Sequence, residues 1–203
     1  MCKCKILLTG FEPFGGEKIN PSLLAVNAVK APLDVELYKI AVPVVFGDAG
    51  KCVLDAIGKY APDVVIMVGQ AGGRSAVTPE RAAINIRDAS APDNAGNIIC
   101  DEPVLPEGKN AYFSTLPIKK IRDAVIDCGI ACEISNSAGT FVCNDLMYTV
   151  LASLENSKVK AGFIHVPYLP EQAFEKNAPS LCLDDMVKAL EIAITVCAGE
   201  NIV

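Results

Sequence analysis

One thiol, one imidazole and one carboxylate in this chain form a set capable of nucleophilic catalysis. Cys143 lies in "SNSAGTFVCNDLMY" (135–148), where an apolar strand-like run gives way to a helix-like one. It follows Gly139 and Thr140 and falls in the first turn of a helix whose buried stripe reads Val142, Leu146, Val150, Leu154. Unpaired N–H groups and the dipole at such a helix start favour a thiolate and can receive a developing oxyanion. A single cysteine also reads as a small buried hydrophobe.

His165 is the only histidine, placed after Phe163 and Ile164 where a strand ends. Read alone, it is a core histidine satisfied by backbone. Read with Cys143, it leaves the sheet at the edge where the thiol should lie, so the two can act as nucleophile and base. Glu80, in "TPERAAIN", ends a loop that starts on the same edge and is the candidate for orienting the imidazole. The competing reading of Glu80 is a surface salt bridge with Arg81 or Arg74.

Two glycine-bearing loops accompany these residues. "GQAGGR" (69–74) fits neither of the common phosphate-loop patterns, so its glycines are read as letting the backbone approach a small ligand. "GFEPFGG" sets Phe11 and Phe14 on the loop after the first strand. They suit core packing, or a flat apolar ring whose polar edge bonds to the backbone.

The elements that must position these groups alternate along the chain. Strands are predicted over 5–10, 35–42, 63–69, 130–135 and 161–167, with a half-exposed strand in "AAINIR" and a turn around "APDN". Helices are predicted after Asn20 as N-cap with Pro21 in the first turn, through Ala49, Val53, Ala56, Ile57 and Tyr60, and over 117–129, 140–155 and 180–198. This alternation predicts one α/β domain over residues 1–203, a three-layer α/β/α sandwich around a mostly parallel, mixed sheet. In open sheets of that kind a ligand sits at the carboxyl ends of the strands, which selects the loops 9–19, 69–80, 135–143 and 165–172.

Composition narrows the class. The chain has 203 residues, 51% apolar and 21% charged, with a net charge of -6. No cluster of Lys and Arg is present, which argues against a nucleic-acid partner. The apolar run near the N-terminus is too short for a signal-peptide core or a membrane span. Nine scattered cysteines, an odd number, do not read as a disulfide framework, and a reducing cytoplasmic setting is expected. Cys2 with Cys4, Cys128 with Cys132 and a lone histidine lack the spacing of a zinc site.

Taken together, the blocks "LLTGFEPFGG…NPS" (7–22), "VGQAGGRSAVTPERAAIN" (68–85), "PDNAGN" (92–97), "SAGTFVCN" (137–144) and "FIHVPYLPEQ" (163–172) closely resemble pyroglutamyl peptidase I, the cysteine peptidase family also called pyrrolidone-carboxylate peptidase. The resemblance implies an exopeptidase that removes an N-terminal pyroglutamyl group through a thioacyl-enzyme, with Cys143 as nucleophile, His165 as general base and acid, and Glu80 orienting the histidine. It also implies a ring pocket of Phe11, Phe14, Phe141 and Val142, with Gln70 bonding to the lactam. It further implies an intracellular protein that needs no metal or cofactor and that, as is common in the family, assembles as a dimer or tetramer. The chain departs from the family pattern at Ser90 and Ala91, where an Arg and a bulky apolar residue are common, and at Asn136, where an aromatic is common. A phosphorylase-like transferase using Arg74, Arg81 or Arg87, and a pyroglutamyl-binding module without turnover, are the rival readings.

Overall fold

A computed structural model describes residues 3–199; Cys2 lies outside them. In chain order the elements are β1 (Cys4–Phe11), α1 (Pro21–Ala28), β2 (Val35–Val42), α2 (Asp48–Tyr60), β3 (Val64–Gln70), β4 (Thr78–Pro79), β5 (Ala82–Ile84), β6 (Ala111–Phe113), α3 (Ile118–Asp127), α4 (Val142–Ser153), β7 (Lys160–Val166), α5 (Pro170–Lys176) and α6 (Leu183–Gly199). The main sheet runs β2-β1-β3-β7-β4, parallel throughout except for the short β4, which is antiparallel to β7.

Both faces of the central strands are apolar because both are covered. Ile6, Leu8, Val64, Ile66, Val68 and Ile164 pack on the side of α1, α3 and α6. Their sequence neighbours Leu7, Val65, Met67 and Phe163 pack on the side of α2 and α4. The two-residue period of a strand thus divides one run of hydrophobic residues between two cores. The result is the expected three-layer α/β sandwich around a mixed sheet.

Local signals act as the chain predicts at several ends. The Asn20 side chain accepts from the Ser22 N–H, with Pro21 opening α1. Gly129, at a φ of 82°, follows the end of α3.

The segment 130–135 differs from the expected strand. It forms two isolated parallel bridges, Val77 to Cys132 and Glu80 to Ser135. The backbone bonds Val77 N–H to Ala131, Glu133 N–H to Val77, Ser135 N–H to Pro79 and Arg81 N–H to Ser135 are all present. The missing rung belongs to Pro79, which has no N–H to give, so the proline splits a ladder that is otherwise in register. Three further elements, β4, β6 and α5, lie outside the predicted ones. "AAINIR" contributes only Ala82–Ile84, which pairs with β6 in a separate two-stranded sheet.

Gly10 marks the closest approach of α1 to the sheet. A Cβ there would lie 2.8 Å from Leu23 Cα and 3.0 Å from Leu23 N, both backbone atoms. Gly10→Ala is expected to cost about 1–3 kcal/mol, read as a drop in melting midpoint of roughly 2–4 °C per kcal/mol for a chain of this size. An unchanged midpoint would contradict this packing.

Candidate active site

Parallel strands deliver their carboxyl ends to one edge, and the candidate residues collect there. Phe11 ends β1, Gln70 ends β3, and His165 lies opposite Gly69 in the β3–β7 register. The start of α4 comes down on the same place. A Cβ on Gly69 would meet Phe163 Cζ at 2.7 Å and Cys143 Sγ at 3.1 Å. The missing side chain is therefore the space into which the thiol fits, one strand position across from His165.

His165 is buried, and its Nδ1 lies 2.7 Å from Glu80 Oε1. Glu80 is fully buried and brought there by the sheet: its N–H bonds to Phe163 O, and Thr78 pairs with His165. The same Oε1 accepts from Arg74 Nη1 at 2.6 Å, and Arg74 also donates to Thr78 Oγ1 and Ser137 O. Both sequence readings of Glu80 are thus realised at once, except that the salt bridge is buried on the carboxylate side. Arg81 is not the partner; it donates to Asn136 Oδ1.

Charges follow from this wiring. Burial alone would raise Glu80, but the hydrogen bond from His165, with Ser135 and Arg74, outweighs it and holds the carboxyl below its ordinary 4.5. Burial pushes His165 below its ordinary 6.5 against the pull of Glu80. Arg74 already balances the Glu80 charge, so the ring stays neutral, with its proton on Nδ1 and with Nε2 as acceptor.

Cys143 corrects an expectation. Its thiol is pushed up to about 12, first by burial and then by the Glu80 charge, with Arg74 opposing. The helix start was expected to favour thiolate, but desolvation wins at this half-buried position. At the same helix start, Phe141 is the N-cap and no side chain caps this end. The N–H groups of Val142 and Cys143 therefore have no acceptor within the helix.

The residues after Cys143 fasten α4. Asn144 is fully buried, accepts from Ile84 N–H and donates to the carbonyls of Ile84 and Ile86, each at 2.9 Å. Asp145 accepts from Gly47 N–H and pairs with Arg87 at 2.6 Å.

Beside the thiol, Phe11, Phe14, Phe141, Val142 and Gln70 surround a cavity of about 10 Å³, completed by Asn20 and Val44. Sequence reasoning missed the last two as lining residues. Asn20 showed only its capping signal, and Val44 sits in the loop after β2, another strand end at the same edge. The "PDN" turn holds this wall: Asp93 accepts from Phe46 N–H, and Asn94 bonds Pro13 O and Val44 O. Phe46 in turn meets Phe141 edge-on at 5.3 Å. Ser90 and Ala91 are exposed and do not line the cavity.

The chain is similar to known proteins over nearly its full length. The sequence profile of the pyroglutamyl peptidase family matches residues 4–200. The chain belongs to the pyroglutamyl peptidase family. It is 52% identical over 195 residues to pyrrolidone-carboxylate peptidase of Vibrio vulnificus, covering 95% of this chain and 92% of that one. The similar protein of Thermosipho africanus is 50% identical over 200 residues, covering 97% and 98%. Among solved structures, pyroglutamyl peptidase I of Bacillus amyloliquefaciens superposes with a TM-score of 0.93 at 44% identity over 97% of this chain and 98% of that one. Pyrrolidone carboxyl peptidase of Pyrococcus furiosus does so with a TM-score of 0.91 at 44% identity, over 97% and 99%. No helix among the described residues is long and apolar enough to cross a membrane.

In this family member His165 and Glu80 both hold fewer protons folded than unfolded, so acid destabilises through both. The stability that these two groups contribute is expected to be fully present above pH 6.5, to decline as pH falls below the ordinary value of His165, and to decline again below the 4.5 of Glu80. Urea midpoints across pH check this, and His165→Gln should remove the first decline and weaken the second, because His165 also helps to hold Glu80 low.

Proposed function

We propose that this chain is a cysteine-type pyroglutamyl peptidase that hydrolyses the N-terminal pyroglutamyl group from peptides. The observation that carries the reading is the Glu80–His165 pair, set across Gly69 from Cys143 beside an apolar cavity. Cys143 is the nucleophile, His165 the base and acid, and Glu80 the group that holds the Nδ1–H tautomer.

Resting thiol and imidazole are both neutral, so attack and proton transfer are coupled. Sγ adds to the pyroglutamyl carbonyl as its proton passes to His165 Nε2, and the oxyanion is received by the free N–H groups at the start of α4. The imidazolium then protonates the departing α-amine, leaving a thioester. Water, giving a proton to His165, cleaves the thioester and releases pyroglutamate, and the thiol recovers its proton.

Specificity follows from a dry pocket. A lactam is neutral, whereas a free α-ammonium among Phe11, Phe14, Phe141 and Val142 would be desolvated with no counterion. The cavity of about 10 Å³ holds roughly one water, so the phenylalanine loop must open to admit the ring. Glu17, on that loop, is tied to Lys176 of α5 at 2.7 Å.

The phosphorylase-like reading loses its cations: Arg74 is engaged by Glu80, Arg81 by Asn136 and Arg87 by Asp145. The proposal includes one domain over residues 1–203, action in the cytoplasm, no cofactor or metal, and assembly as a homodimer or homotetramer.

Release of a fluorophore from a pyroglutamyl amide tests the activity, with an alanyl amide as the control substrate. Cys143→Ala should lose about 10⁴-fold or more in turnover; near-normal turnover would remove the nucleophile, and binding without turnover by the wild type would leave the non-catalytic module. The pH profile gives a second check. Because His165 lies below 6.5, kcat/KM should hold steady as pH falls to 6.5 and drop only beneath it. A limb centred above 6.5 would contradict the neutral imidazole.

A further inference from the structure

Two amides lie in series behind the cavity, and their polarity is dictated from one end. Leu169 N–H can only donate, and it donates to Gln172 Oε1 at 3.2 Å. That leaves Gln172 Nε2 as the donor arm, and it lies 3.2 Å from Gln70 Oε1. Gln70 Oε1 is thereby committed as acceptor, and the arm remaining to Gln70 is its NH₂. A second neighbour supports the same order: Glu17 is held below its ordinary 4.5 first by Lys176 and in smaller part by the Gln172 amide, whose NH₂ end is the one a carboxylate favours.

Gln70 lines the cavity and Gln172, although buried, does not. The other amide in the lining, Asn20, has both ends engaged, Oδ1 by Ser22 N–H and Oγ and Nδ2 by Glu12 O. Gln70 is therefore the lining amide with an arm left for a ligand. We infer that Gln172 is a positioning residue for substrate recognition, locking Gln70 so that a hydrogen-bond donor meets the ring carbonyl of the lactam. The inference rests on the pyroglutamyl reading above and adds the residue that sets the polarity of its pocket. An unlocked Gln70 turns its oxygen to the cavity as readily as its nitrogen, and an oxygen there faces the lactam carbonyl with no proton between them.

Gln172 also caps the turn into α5, so the test must separate capping from polarity. A glutamate keeps the acceptor for Leu169 N–H but, when ionised, cannot donate to Gln70. A methionine does neither. The full-length protein is assayed with a pyroglutamyl amide, and 2-pyrrolidone serves as a ring-only competitor. At about pH 8, where a glutamate is ionised, Gln172→Glu should raise the inhibition constant of 2-pyrrolidone and KM by roughly ten-fold or more, with kcat within about two-fold of wild type. Gln172→Met, which leaves Gln70 free to turn either way, should raise them about three-fold.

The glutamate variant carries its own rescue. A protonated carboxyl accepts and donates as the amide does, so 2-pyrrolidone affinity relative to the wild type at the same pH should recover as pH is lowered from about 8 toward about 4.5, where a carboxyl begins to protonate. Glu17 favours that protonation and Lys176 opposes it. A role confined to capping predicts the reverse ranking, with Gln172→Glu close to wild type and Gln172→Met the weaker binder; that result overturns the inference while leaving the activity in place. A wild type that neither turns over the amide nor binds 2-pyrrolidone overturns the activity and this inference with it.

Discussion

A single carboxylate oxygen organises this site. Glu80 Oε1, without exposure to solvent, takes the Nδ1 proton of His165 and a guanidinium proton of Arg74. A buried charge left unpaired costs several kcal/mol, so the carboxylate, the guanidinium and the ring are retained as a unit. Because Arg74 neutralises Glu80, the imidazole need not be charged to keep the pair together. Burial and the Glu80 charge keep the neighbouring Cys143 a thiol as well.

The scaffold exists to hold that unit in register. β7 carries His165, the short β4 runs back along it and brings Glu80 beside it, and β3 presents a glycine where any side chain would displace Cys143. Helix α4 is fixed at its first turn rather than along its length, through Asn144 to the β5 backbone and Asp145 to the loop before α2. The residues following Cys143 are consequently among the most deeply buried polar groups of the fold. They hold the first turn of α4, with its N–H groups that have no acceptor within the helix, in place.

Features written in local chemistry were legible in the chain. The Asn20–Pro21 cap, the unbroken apolar run of β3 and the placing of Cys143 in a helix start all depend on neighbours within a few residues. What escaped notice depends on partners distant in sequence. The break at 130–135 is caused by a proline some fifty residues away on the facing segment, and α5 is too short to show a periodicity. The pocket could be read in part: Phe11, Phe14, Gln70, Phe141 and Val142 announced themselves by residue type beside strand ends, while Val44 has no chemistry to betray it. The thiol was misjudged electrostatically for the same reason. A helix dipole can be read from order along the chain, but burial comes from the other walls.

The protonated state of Cys143 also bears on how the protein ages. Thiolates, not thiols, attack peroxides and disulfides, and a thiol with a pKa of about 12 is ionised to only about one part in 10⁵ at neutral pH. Cys100, Cys128 and Cys182 are exposed and meet oxidants first. The burial that raises the pKa of Cys143 thereby slows its conversion to sulfenic acid.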